Sequence, residues 1–223
     1  MKKLIVAAFA LTAAASVFAQ GTVVFNNKSV AQTQHVWGPS TTAPGLSLVG
    51  FGSNDGANSG TTPYAASGMS LIGAGNQVGG HYGYGTTLAQ LLSGPVGTPE
   101  ASLLPQSPTT TFKSGASLGY VASVTATLAN VPKDAASGVL EMVAWDNSSA
   151  LYPTWAEASV AWAAGTIAAG KSGAFTLASI GGDVNTAPFI TPLSFNLYMV
   201  PEPSTFALAG LGAAAMLIFR RRK

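Results

Sequence analysis

The chain has 223 residues, 48% of them hydrophobic and only 8% charged, with 26 Gly, 13 Pro and no Cys. The missing Cys excludes a disulfide framework, Cys-ligated zinc, an iron–sulfur cluster and a Cys nucleophile, and the composition speaks for a β-rich, turn-rich exported protein rather than an α-rich cytoplasmic enzyme. The net charge of +2 hides an asymmetry: between Gln20 and Val200 there are four Lys, no Arg and seven acidic residues, about −3 in all, so the body offers no basic patch for nucleic acid.

The first segment, "MKKLIVAAFALTAAASVFAQ", has two Lys, an apolar run from Leu4 to Val17 and small residues leading to Ala19. This is the pattern of a secretory signal peptide over residues 1–19, which implies the Sec machinery and cleavage by signal peptidase between Ala19 and Gln20. The apolar run is short for a retained anchor.

The mature body, residues 20–199, opens with "GTVVFNN", a strand ending in an Asn-Asn turn. Residues 46–52, "LSLVGFG", form a second candidate strand. Residues 53–85 are rich in Gly, Ser and Asn and read as long loops around one short strand near residues 69–72. "TTLAQLLSG", residues 86–94, reads as a short helix, with Thr87 and Gln90 at capping-box spacing, or as a kinked strand. Residues 95–108 hold four prolines and read as an extended connection.

Residues 118–131 alternate over a long stretch, with Tyr120, Ala122, Val124, Ala126 and Leu128 on one face. Residues 138–147 form a second strong strand: Leu140, Met142 and Ala144 point one way, and Glu141, Val143 and Trp145 the other. "YPTWAEASVAWAAG", residues 152–165, is the best helix. Thr154 and Glu157 make its capping box, Gly165 its stop, and Trp155, Ala158, Ser159 and Trp162 its inner face. "GAFTLASIGG" and "LSFNLYMV" supply the last strands. The expected fold is mainly β: a single β-sandwich or jelly-roll-like domain with short helices.

No reactive constellation stands out in the body. His35 and His81 are the only histidines and lie 46 residues apart, with no further metal-ligand pattern. No Gly-x-Ser-x-Gly elbow singles out a nucleophile, although a Ser-rich chain leaves a Ser–His–Asp arrangement open. The carboxylates Glu141, Asp146 and Glu157 are more simply a solvated strand position, a turn former and a cap than a glycosidase pair. Trp145, Trp155 and Trp162 are candidates for stacking on sugars; a core cluster holding helix to sheet is the plainer reading. The body therefore yields no catalytic residue, cofactor or metal site.

The chain closes with "VPEPSTFALAGLGAAAMLIFRRRK". Residues 204–219 carry no charge and as a helix would reach about 24 Å, a short transmembrane helix against a bilayer core of roughly 30 Å. Arg220, Arg221, Arg222 and Lys223 then act as a cytoplasmic basic anchor by the positive-inside rule. Pro201 and Pro203 hold the segment before the run extended.

These three parts, Val200-Pro201-Glu202-Pro203-Ser204, a Gly-containing apolar run and an Arg cluster, resemble the PEP-CTERM sorting signal of exported bacterial proteins. The resemblance covers residues 200–223. It implies recognition by exosortase, a membrane-embedded cysteine protease or transpeptidase, acting near Pro201-Glu202-Pro203. It also implies a transient membrane anchor and release to the surface or exopolysaccharide matrix of a Gram-negative-type bacterium. The body resembles, more distantly, the low-charge β domains that precede such signals, at residues 144–146 and 170–177. The expected role is non-enzymatic, with a secreted carbohydrate-binding module as the alternative and a secreted hydrolase behind it.

Overall fold

The computed structural model describes residues 19–29, 33–74 and 80–201. Most of the signal segment lies outside these residues, as do Glu202 and everything after it.

Two long antiparallel strands form the spine, β3 (Thr87–Gly94) and β7 (Ser137–Asp146), paired from Thr87↔Asp146 to Gly94↔Val139. The short strands β4 (Leu104–Pro105) and β5 (Thr110–Thr111) pair with the outer side of β3. On the far side of β7 lie β8 (Ala169–Lys171) and β9 (Phe175–Ala178). A separate ribbon pairs β1 (Gln20–Phe25) with β6 (Val124–Pro132). A parallel pair joins β2 (Val36–Trp37) to β10 (Phe195–Asn196).

The spine is covered on both faces, which explains why β7 is apolar at nearly every position. On one face Leu140, Met142 and Ala144 of β7 and Ala89 and Leu91 of β3 share a buried cluster with Val23, Phe25, Ala126 and Leu128 of the ribbon. On the other face Val143, Trp145 and Leu92 pack against the helix α1 (Trp155–Ala163). The order is ribbon, sheet, helix. Alternation thus placed the side chains of β7 correctly, and burial on both sides follows from the second cover.

The Thr154 side chain accepts the Glu157 N–H, and a Glu157 carboxylate oxygen accepts the Thr154 N–H, so the capping box of α1 is present. Residues 86–94 form a strand and not a helix. Gln90 caps nothing in its own segment. Its amide donates to Gln106 O at 2.8 Å and its carbonyl accepts the Trp155 N–H at 3.0 Å, tying β3 to the first turn of α1.

Three expected strands are shortened or replaced, the one near residues 69–72 by a single bridge from Leu71 to Trp37. Strand β6 begins at Val124, not near residue 118, because Gly119 sits at φ +73° and turns the chain to bond Ile72 and Val36. Residues 46–52 form no strand. The Asn196 side chain takes the bonds a neighbour would make, accepting Leu48 N–H at 2.7 Å and donating to Leu46 O at 2.9 Å. Only single bridges, at Val49 and Gly52, remain. The connection over residues 95–108 contains a 3₁₀ turn, Glu100–Ser102, as well as β4.

Side chains hold the irregular first half in place of ladders. Trp37 and Tyr64 stack with centroids 5.2 Å apart. Buried Asn27 donates to Gln34 O and Gly119 O and accepts Val121 N–H, at 2.7, 2.9 and 2.9 Å. Asn27→Ala would remove all three bonds and strand the Val121 N–H, while Gly119 O keeps the Val36 N–H, so a loss on the order of 3 kcal/mol is expected from the denaturation midpoint.

Candidate functional site

The end of the body is built into the fold. Residues 194–199 run beside residues 44–50 through the bonds Gly50 N–H to Ser194 O and Met199 N–H to Pro44 O, at 2.9 and 2.8 Å. On their other side Tyr198 pairs with Ala169 of β8, and Trp162 of α1 donates its indole N–H to Tyr198 O at 2.9 Å. Val200 is half-buried and Pro201 exposed. A Cβ on Gly45 would lie 3.2 Å from the Pro201 ring, so the turn at Gly45 is bare where the chain leaves. Glu202, Pro203, Ser204, the apolar run and Arg220, Arg221, Arg222 and Lys223 lie outside the described residues.

At the other end, Ala19 O accepts the Lys133 N–H at 2.8 Å and Gln20 pairs with Pro132. Both Ala19 and Gln20 are exposed.

The tryptophans do not offer a sugar platform. Trp145 is fully buried and Trp155 nearly so. Their rings meet at 5.9 Å, Trp155 meets Trp162 at 5.8 Å, and Trp162 meets Tyr198 edge-on at 5.0 Å. Trp145 spends its indole N–H on Tyr152 O. Only Trp162 retains partial exposure. The stacking expectation for Trp145 and Trp155 is therefore overturned: a flat sugar face needs an open ring, and these rings are closed by α1 and the sheet.

Three polar groups that the sequence left apart converge after β7. His81, half-exposed, places Nδ1 2.5 Å from Asp146 Oδ2 and 2.7 Å from Ser148 Oγ. This brings a Ser, a His and an Asp together, but a hydrolytic triad needs serine and carboxylate on opposite ring nitrogens. Here both meet the same nitrogen, and Ser148 Oγ also lies 3.2 Å from Asp146 Oδ2. The group closes the turn after β7, where Asp146 also accepts Ser148 N–H. Burial, helped by the Asp146 charge, pushes the Tyr82 phenol beside it up to about 12. His35 is buried: its Nδ1 lies 2.8 Å from Asp55, and Asp55 accepts the Ser194 hydroxyl, a bond that ties the early loop to the last strand. Among the described residues no group of three or more His, Asp or Glu could hold a metal ion.

Glu141 corrects a further expectation. It is not solvated but fully buried, with Oε2 3.4 Å from Lys171 Nζ, and Lys171 in turn 3.3 Å from Glu100. Burial, partly offset by Lys171 and reinforced by Glu100, raises its carboxyl from 4.5 to about 7. A carboxyl raised by folding contributes stability below its unfolded value that is lost as pH rises, because the unfolded chain ionises first. Stability should therefore fall between about pH 4.5 and pH 7, and Glu141→Gln should flatten that slope in thermal melts. The sequence carried no sign of this cluster, since Glu100 and Lys171 come from distant segments.

Among the described residues no helix is long and apolar enough to cross a membrane. Searches of curated proteins and of solved structures found no match to this chain. A family model describing the PEP-CTERM protein-sorting motif does match, over residues 200–223. That motif implies an exported protein sorted by exosortase. Beginning one residue after Met199, whose N–H makes the last backbone bond seen in the body, the chain carries a PEP-CTERM protein-sorting motif.

Proposed function

We propose that this is an exported, surface- or matrix-associated protein whose tail is read by exosortase and whose body works by structure and interaction rather than by catalysis. One observation carries the reading: the PEP-CTERM protein-sorting motif matches residues 200–223. Pro201 and Pro203 disfavour a helix on either side of Glu202, so Pro201-Glu202-Pro203 would offer a protease a strip it can engage. The signal pattern of residues 1–19 supports entry through Sec and removal by signal peptidase. A mature chain beginning at Gln20 would keep the whole of β1 and give up only the bond from Lys133 N–H to Ala19 O. Apolar residues 204–219 would then anchor the chain in the membrane until processing. The ribbon packed over the main sheet supports a sandwich-type body.

The non-catalytic role is supported by the shared nitrogen of His81 and by the closed tryptophans. Its test is a screen of the exported chain for binding to the cell's own exopolysaccharide and to simple glycans, and for turnover of ester and glycoside substrates. No turnover is expected. Turnover abolished by Ser148→Ala would move the reading to a hydrolase. Saturable binding of simple sugars, lost on Trp162→Ala with the fold intact, would move it to a lectin.

A further inference from the structure

We infer that, while the tail is anchored, the body docks on the bilayer surface through the charge-free face around Pro201, made by the residue 41–45 loop and the C-terminal half of α1. This rests on the anchor reading above.

The tether decides the partner. Three residue steps separate Pro201 from Ser204, where the apolar run begins, and an extended chain covers about 10 Å in that distance. A body of this length has a radius of gyration of about 16 Å. A tether shorter than the body's own radius prevents it from hanging free, so the face around the exit has to meet the headgroups.

That face has the right composition. The segments meeting at the exit are residues 38–54, 158–170 and 184–201, and none of them contains a charged residue. The 41–45 loop is exposed. On α1, Val160 is 70% exposed and Ala156, Ala163 and Ala164 are exposed too. The helix's one charge, Glu157, is engaged in the capping box. A helix apolar on its outer face as well as its inner one is ordinarily covered. At its rim the half-buried pair Trp162 and Tyr198 stands beside the exit, the two residue types that favour the membrane–water boundary. Because the face carries no Lys or Arg, nothing draws it to anionic lipid once the tether is cut. Docking is then a property of the anchored chain alone, and processing releases the body.

The chain has no Cys, so each introduced thiol is unique. The full chain, tail intact, would be reconstituted in phosphatidylethanolamine/phosphatidylglycerol vesicles with one dye at Ala43→Cys, Ala163→Cys or Val96→Cys. Val96 follows Gly94, which pairs with Val139 at the opposite end of β7 from Trp145, about 20 Å along the strand. A fourth variant, Gly210→Cys, reports on the tail. With a headgroup-borne quencher, the dyes at residues 43 and 163 should lose most of their fluorescence and the dye at 96 little. With an acyl-chain quencher, the dye at 210 should be quenched. A quenched 210 with 43 and 163 no more quenched than 96 overturns the docking and leaves the anchor standing. An unquenched 210 overturns the anchor, and the docking with it.

Discussion

Trp145→Ala should lower the unfolding free energy by about 3–5 kcal/mol, the range for emptying a large buried aromatic. Trp145 is fully buried at the centre of the sheet, against Trp155, with its indole N–H bonded to Tyr152 O. Removing it opens a cavity under α1 and leaves the Tyr152 carbonyl without that donor. A domain has about 5–15 kcal/mol of stability in all, so this is a large share of it. The variant should therefore show a large drop in the urea midpoint and early loss of the helix. Trp162→Ala, at the half-exposed end of the same stack, should cost clearly less. Equal and small effects at both positions would mean the tryptophans do not hold helix to sheet.

Glu202→Ala should leave nearly all of the chain unprocessed and in the membrane fraction, and so should neutralising Arg220, Arg221, Arg222 and Lys223 together. The two act differently. Glu202 is the lone charge between two prolines that disfavour a helix, and on the proposed reading it is the part the protease would grip. On the proposed topology the four bases would hold the tail's end on the cytoplasmic side, because four charges resist passage through the bilayer. Both changes fall on residues after the described ones and leave the described bond from Met199 N–H to Pro44 O as it is. Both variants should therefore melt as the parent does. Release at the mature mass would count against the sorting reading, and a lowered melting temperature would point instead to an unseen structural role.

The sequence made some of this legible, and the reasons are physical. Strand β7 and helix α1 were readable because their signals are local: strict alternation in one, a Thr-x-x-Glu box and a closing Gly in the other. The tail was readable because charge and hydropathy are segregated there without help from tertiary contacts. Residues 86–94 were ambiguous because a strand buried on both faces loses its period-2 pattern, and "LAQLL" then imitates a helix. Residues 46–52 looked like a strand, but the competitor for their hydrogen bonds was the Asn196 side chain, almost 150 residues away. Shorter but still non-local separations, 30 and 71 residues for Lys171 with Glu141 and Glu100 and 65 for His81 with Asp146, hid those contacts too. Polar side chains that bond across the fold leave no periodic trace.

The burial of the tryptophans also changes what the body can be asked to do. The strongest sequence hint of a sugar site is spent on its own core. The charge-free segments around Pro201 are the surface the proposed docking would use.

The central claim, that the chain is exported and then sorted through residues 200–223, is tested most directly by the intact mass of the native protein in each cell fraction. The account predicts a species outside the inner membrane that begins at Gln20 and ends close to Pro201, with any membrane-bound form carrying the whole tail. A single species retaining residues 204–223 in every fraction would contradict it.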